Sequence, residues 1–286
     1  MQGAIGEHLW PRWGAAWRPA LLAVIAPGRA GGEAGAPAGA GIAAIVGQVK
    51  LTGRRALVAA AAAAVVVVAG TAAALAAGVP GGPGQNTASL PADGRSAATL
   101  EVTTGTRLLD VKVAKLGGAH GTLLRASAPA GAQRPELTMT SGHVVLSASN
   151  GASSLTVTLN EAVSWRLGFA GGTERTVADL RGGRVSAVSF TAGSDIIDLT
   201  LPRPGAMVPV WLGGGASQFL VRVPGGVPVR VAAAGGAGEV SVDGAGYTGV
   251  GGGSVFATEG WSPGAAGFDV EATAGAALLS VARFKG

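Results

Sequence analysis

Cysteine is absent from this chain of 286 residues. Structural disulfides, thiolate catalysis and Cys-ligated zinc or iron–sulfur centres are thereby excluded. Aromatic residues are scarce, at 5% with a single tyrosine, and charged residues reach only 13%. Of the three histidines, His8 lies near the N-terminus, His120 sits in the turn-like GGAHGT and His143 opens a strand. None has a second histidine or a carboxylate at metal-ligand spacing, and neither HExxH nor GxSxG occurs. The sequence predicts no catalytic set, no cofactor site and no metal site.

A stripe of positive charge is missing too, although the pI is 10.4. Residues 1–55 hold Arg12, Arg18, Arg29, Lys50, Arg54 and Arg55 against Glu7 and Glu33. Beyond them, 15 basic and 14 acidic residues are interspersed. Neutralising a phosphate backbone requires a basic face, so nucleic acid is not an expected partner.

What the chain has in abundance is glycine, 50 residues, within a composition that is 48% apolar. Disorder requires low hydrophobicity, so this combination predicts short strands joined by many tight turns.

One long apolar run stands apart. Ala56 to Ala77 reads ALVAAAAAAVVVVAGTAAALAA without a charge, and 22 residues of helix rise about 33 Å, enough for a hydrocarbon core of about 30 Å. Lys50, Arg54 and Arg55 precede it, and no charge follows until Asp93. The positive-inside rule then puts the N-terminus in the cytoplasm and the rest outside, a single-pass protein of the cell membrane contacting the bilayer through residues 56–77. The length of the run favours an uncleaved signal anchor, whereas Ala74-Leu75-Ala76 offers a small-x-small cleavage site. Residues 1–48, with Trp10, Trp13 and Trp17 and then a Gly/Ala/Pro run, read either as a disordered cytoplasmic tail or as an extension upstream of a true start at Val49. Residues 49–77 form the basic flank and anchor, 78–97 a Pro/Gly/Ser-rich flexible linker, and 98–286 the exported domain.

In that domain, period-2 alternation dominates: Leu155-Val157-Leu159, Phe219-Val221-Val223 and Val227-Val229-Val231. A phrase also recurs, a short strand, a Gly-rich turn, an alternating strand and a break. Val208-Pro-Val-Trp-Leu, Gly213-Gly-Gly, Gln218-Phe-Leu-Val-Arg-Val and Pro224-Gly-Gly is its clearest copy. Openers at Val144, Val163, Val185, Val208 and Val227 recur about every twenty residues, with a last copy at Phe268. A gapless shift of 64 residues aligns Val163, Arg166, Gly171, Gly172, Asp179 and Gly182 with Val227, Arg230, Gly235, Gly236, Asp243 and Gly246. Residues 98–143 contain strands without a clean repeat and read as irregular first rungs. The expected fold is all-β, a stacked β-solenoid in which each rung buries its apolar row against neighbours about 4.8 Å away. A β-sandwich of hairpins is the alternative, because GG turns also close hairpins.

Few residues remain as candidates for chemistry. Gly244, Gly246 and Gly249 spell GxGxxG, but Val250-Gly-Gly-Gly-Ser follows in place of the helix a dinucleotide site needs, so a turn is expected. Asp195 and Asp198 flank Ile196-Ile197, while Asp179 and Asp243 end equivalent strands and are expected to serve one local role at a turn. Trp165, Trp211, Tyr247 and Trp261 are the large polar aromatics of the domain, and they are either contacts for a partner or glycan or caps on the core.

The stretch LPRPGAMVPVWLGGGASQFLVRVPGGVPVRV, followed by GAGEVSVDG and GWSPGAAGFDVEATAGAALLSVARF, resembles the toast-rack or "putative adhesin" domains of actinobacteria, akin to the LiaF C-terminal-like family. The similarity spans about residues 140–286. It implies a stacked β fold on the outer face of the membrane with surface or envelope-stress roles; the LiaF pattern carries several N-terminal membrane helices where this chain has one. The expected function is contact with an envelope protein, possible self-association through open strand edges included. A glycan-binding surface adhesin is the alternative, and a β-helical carbohydrate-active enzyme the second.

Overall fold

The computed structural model describes residues 85–148 and 152–285. The expected anchor, residues 56–77, and the segment 1–48 lie outside the described residues, as does the start of the expected linker.

Nearly every described residue belongs to a strand or to the turn between two strands. In chain order the strands are β1 (Gln85–Pro91), β2 (Ala97–Val102), β3 (Thr106–Ala114), β4 (Thr122–Pro129) and β5 (Glu136–Thr140). There follow β6 (His143–Ser147), β7 (Ser154–Asn160), β8 (Ser164–Phe169), β9 (Thr173–Asp179) and β10 (Arg184–Phe190). Then come β11 (Ser194–Thr200), β12 (Met207–Leu212), β13 (Ala216–Pro224), β14 (Val229–Ala233) and β15 (Ala237–Val242). The last are β16 (Ala245–Val250), β17 (Ser254–Ala257), β18 (Gly267–Ala272) and β19 (Ala276–Phe284). Among the described residues the single helical turn is a 3-10 turn, Gly118–His120, and no helix there is long and apolar enough to cross a membrane.

The strands form two sheets. Sheet A has ten strands in the order β1-β4-β7-β3-β9-β11-β13-β19-β15-β16, and sheet B has nine, β17-β14-β18-β12-β10-β8-β2-β6-β5. Consecutive strands such as β8 and β9 fall in different sheets, and the pairs in the middle of both sheets are parallel. Hairpins would give antiparallel neighbours, because a parallel neighbour needs a crossover. Here the crossover is the strand in the opposite sheet, and each B strand with the A strand that follows it makes one rung.

Position along the stack does not follow position along the chain. The rungs lie in the order β6–β7, β2–β3, β8–β9, β10–β11, β12–β13, β18–β19, β14–β15. The second rung is laid outside the first, and the C-terminal rung is inserted between the two that precede it. At both ends the stack is closed by antiparallel strands: β4 and β1 on β7, β5 on β6, β16 on β15 and β17 on β14.

Alternation supplies the core. In sheet B, Val144, Leu100, Leu167, Val188, Val210, Val270 and Val231 form one row across seven strands. In sheet A, Leu155, Leu109, Thr176, Ile197, Phe219, Leu279 and Val240 form another. All of these side chains are buried. Phe169 stacks on Phe190 at 4.7 Å, one strand spacing, and Phe190 meets Phe219 of the other sheet edge-on at 5.9 Å. The core is thus the space between the sheets.

Glycine has a specific place at the B-to-A corners. Gly105, Gly172, Gly193, Gly215 and Gly275 follow one another from rung to rung, each of the first four close to the next one's backbone oxygen, and Gly236 takes this position in the last rung. Adjacent corners are bonded, as Ser194 N–H donates to Gly215 O at 3.0 Å. At the preceding position, a Cβ on Gly235 would lie 2.6 Å from Thr273 O, and Gly171 and Gly214 face the carbonyls of Thr104 and Ala192 in the same way.

Three sequence expectations change. The linker does not extend through Gln85–Pro91, which is strand β1, with Ala88 and Leu90 buried against β4. Residues 98–143 contain a regular rung, β2–β3, before the chain departs into β4 and β5. The openers are also not equivalent positions: Val185 and Val208 align with Trp165 and Val229, not with Val163 and Val227. A two-residue slip keeps every side chain on its face, so alternation alone cannot detect it.

Candidate functional site

Trp165 belongs to the core and not to a contact surface. It shares the inward parity of Leu167 and Phe169 on β8 and is fully buried. Its Nε1–H donates to the backbone oxygen of Asn160 at 3.0 Å. Asn160 is buried as well; its amide group donates to Gly118 O and Thr122 O, both at 2.8 Å, and its Oδ1 accepts from Ala162 N–H at 2.9 Å. Four segments of the chain meet at this junction.

Trp211 has the opposite parity on β12. It lies on the outer face of sheet B, half-buried, between Ser189 and Glu271 of the neighbouring strands. Its indole lies over Gly213, where even a Cβ would collide with the ring. Trp261 follows β17 and is drawn to the same face by Arg230 of β14, whose guanidinium carbon stands 5.9 Å from the ring centroid. Arg230 also donates to Asp269 of β18 at 2.7 Å. The outer face of sheet B therefore carries two indoles with the Arg230–Asp269 pair and Glu271 among them.

Tyr247 is elsewhere, at the end of the stack. It opposes Val240 on β16, and Phe256 opposes Val231 on β17, so each ring terminates one of the core rows. The two rings meet at 4.6 Å, tilted by 37°. Phe256 was not among the candidates from sequence. The local signal at this end, Asp243-Gly244 with φ of 51° and 87°, belongs to β16, the strand that carries Tyr247. Two consecutive positive φ values define a type I′ hairpin turn, which marks β16 as an antiparallel closing strand. The GxGxxG run is this turn continued into β16.

The charged residues are drawn into pairs. Asp198 is largely buried on the outer face of sheet A between Arg222 of the next rung, which donates to it, and Arg175 of the previous rung at 4.0 Å. Glu101 faces His143 at 3.1 Å across adjacent strands, while His120 lies beside the Gly94 turn. Asp179 and Asp243 take equivalent positions at the ends of β9 and β15 but different partners. Asp179 accepts from the side chain and the backbone N–H of Arg181 in its own turn. Those hydrogen bonds, chiefly from the guanidinium, hold its carboxyl below the ordinary value of 3.8, against a smaller effect of burial. Asp243 instead receives Arg283 of β19 at 2.7 and 2.9 Å. Among the described residues no group of three or more His, Asp and Glu is placed to hold a metal ion.

An open trough of about 620 Å³ runs along the glycine corner, flanked by Thr106, Thr173, the Arg107–Glu174 pair and Asp195. Its floor is backbone, because the glycines carry no side chain to fill it.

No family model matches the sequence, and neither does any curated protein. Among solved structures the chain is similar to a "putative cell adhesion protein" from Clostridium sporogenes, at 17% identity and a TM-score of 0.47, over 69% of this chain and 98% of that one. It is similar also to a "putative adhesin" from Bacteroides fragilis, at 10% identity and a TM-score of 0.24, over 72% of this chain and 99% of that one.

Proposed function

We propose that this chain is a single-pass membrane protein whose C-terminal part stands outside the membrane as a β-solenoid of the toast-rack kind and mediates contacts in the cell envelope without catalysing a reaction. The reading of the anchor rests on the uncharged run 56–77 and on Lys50, Arg54 and Arg55 before it. The observation that carries the functional reading is the stack itself. Seven rungs present outward rows of side chains at strand spacing, the extended kind of surface on which repeat proteins bind partners. Three of the four carboxylates that sequence singled out, Asp179, Asp198 and Asp243, are engaged by Arg181, Arg222 and Arg283, which supports structural roles for those three. Regulation of a membrane kinase in an envelope-stress response is one outlet for such contacts.

A glycan-binding adhesin is the second reading, favoured by Trp211 and Trp261 on one face beside Glu271 and Arg230. Aromatic and charged groups in such a patch provide stacking and hydrogen bonding together. The full-length chain in detergent micelles, incubated with isolated cell-wall sacculi, separates the two. Retention that falls at least about tenfold in Trp211→Ala, a loss of about 1.4 kcal/mol, supports the adhesin. Cross-linking in intact cells to a membrane protein, with no retention on sacculi, supports the envelope-protein contact. Turnover of a cell-wall glycan by the purified chain would contradict both.

A further inference from the structure

Strands β14–β17 join the stack through one rung only. In both sheets β18 and β19 lie between them and β12–β13, so no ladder links β14 or β15 to the strands that precede them in the chain. Within this group β14 pairs with β17, β15 pairs with β16, and Tyr247 meets Phe256. The group adds little to the core, since no residue of β16 or β17 is buried. Two short segments tie it to the rest of the chain, residues 225–228 and 258–266, and both are rich in glycine and proline.

The two sides of the C-terminal rung are held unequally. Strand β19 pairs with β13 from Ala276 to Phe284, but with β15 only from Ala276 to Val281. Ala282, Arg283 and Phe284 are thus paired on the β13 side alone. Strand β18 likewise pairs with β12 over its whole length and with β14 from Phe268 onward. Toward β14 and β15 the added fastenings are two ion pairs, Arg230–Asp269 and Asp243–Arg283, both at 2.7 Å. All four side chains keep contact with solvent, and such pairs hold weakly.

We propose that β14–β17 form a cap that opens as a unit on its two tethers while β18–β19 stay on the stack. The unequal ladders select this seam, because parting there breaks shorter ladders than parting β18–β19 from β12–β13. In a solenoid stacked in chain order, the C-terminal rung is the end rung and frays first. Here that rung is interior, and the strands before it in the chain are the ones released. Small groups with few buried apolar contacts are the ones that open locally. Opening uncovers backbone N–H and C=O groups along one side of β18 and β19, where an extended segment can add as a strand. It also divides the outer-face group of Trp211, Glu271, Arg230 and Trp261, since Arg230 leaves with the cap.

Hydrogen exchange of the full-length chain in detergent micelles, read by mass spectrometry after proteolysis, tests this without reference to membrane orientation. Strands β14, β15, β18 and β19 are each flanked on both sides, so none has the advantage of an edge. Amides of β14 and β15 should exchange at least about tenfold faster than those of β18 and β19. Phe256→Ala, a change on β17, should speed the amides of β14 and β15 by a common factor of about ten, because a unit opens as one. Exchange in β18 and β19 as fast as in β14 and β15, or acceleration confined to β17, would overturn the proposal.

Discussion

Trp165 and Asn160 are joined by a 3.0 Å hydrogen bond from indole to backbone carbonyl, and both residues are fully buried. The bond ties the start of one rung to the end of the previous one, and the Asn160 amide ties both to β4 and the 3-10 turn. Asn160→Ala leaves the carbonyls of Gly118 and Thr122 without these donors. We expect a loss of about 1–3 kcal/mol in chemical denaturation followed by circular dichroism. Trp165→Phe removes the indole donor from the Asn160 carbonyl, which keeps the Val163 N–H at 3.2 Å, and opens a small void, so its loss should be at the lower end of that range. Neither change should weaken partner or glycan binding directly, because neither side chain reaches the surface.

The corners give a paired prediction. Gly214 lies against the backbone of Ala192 in the neighbouring rung, which cannot yield without disturbing the bonds from Gly213 and Gly214 N–H to Phe190 O at 2.7 and 3.1 Å. Gly182 has open space around it and an ordinary φ. Gly214→Ala should cost about 1–3 kcal/mol, as overpacking does, and Gly182→Ala should be neutral within about 0.5 kcal/mol. Equal melting temperatures for the two variants would show that the corners are not close-packed.

Asp179 supplies a pH-dependent contribution. Its carboxyl is held below the ordinary value by Arg181, so the folded state binds the proton less readily than the unfolded chain. The stabilisation is complete above that ordinary value of 3.8 and disappears as pH falls through the lowered one. Because the pair is largely exposed, solvent screening keeps its contribution small. Asp179→Asn should therefore be slightly less stable than wild type at pH 7 and indistinguishable from it in strong acid, as urea titrations at the two pH values would show.

Much of this was legible in the sequence, and the gaps have physical causes. Strand alternation such as Leu155-Val157-Leu159 shows directly which side chains fill the core. The 64-residue shift also finds the correct register: Leu167 and Val231 share a row, so Arg166 and Arg230, one residue earlier, are equivalent. The list of openers slipped by two residues at Val163 and Val227, and by two in the other direction at Val144, shifts that preserve facing. Parity would also have separated Trp165 from Trp211, since one steps evenly from Leu167 and the other oddly from Val210. The insertion of β18–β19 between earlier rungs is not written in any local pattern, because strand order is settled by which rows fit together. Strand β1 was hidden by its Asn, Thr and Ser, acceptable at a sheet edge where only Ala88 and Leu90 need to be apolar.

The most direct test of the membrane-anchored, exported reading exploits the missing cysteine. Ser217 is exposed at the start of β13, so Ser217→Cys introduces one reactive thiol into a chain that otherwise has none. In intact cells, a membrane-impermeant maleimide should label this variant, and the labelled chain should remain with the membranes after alkaline extraction. Labelling only after lysis, or release of the labelled chain into the soluble fraction, would contradict the account.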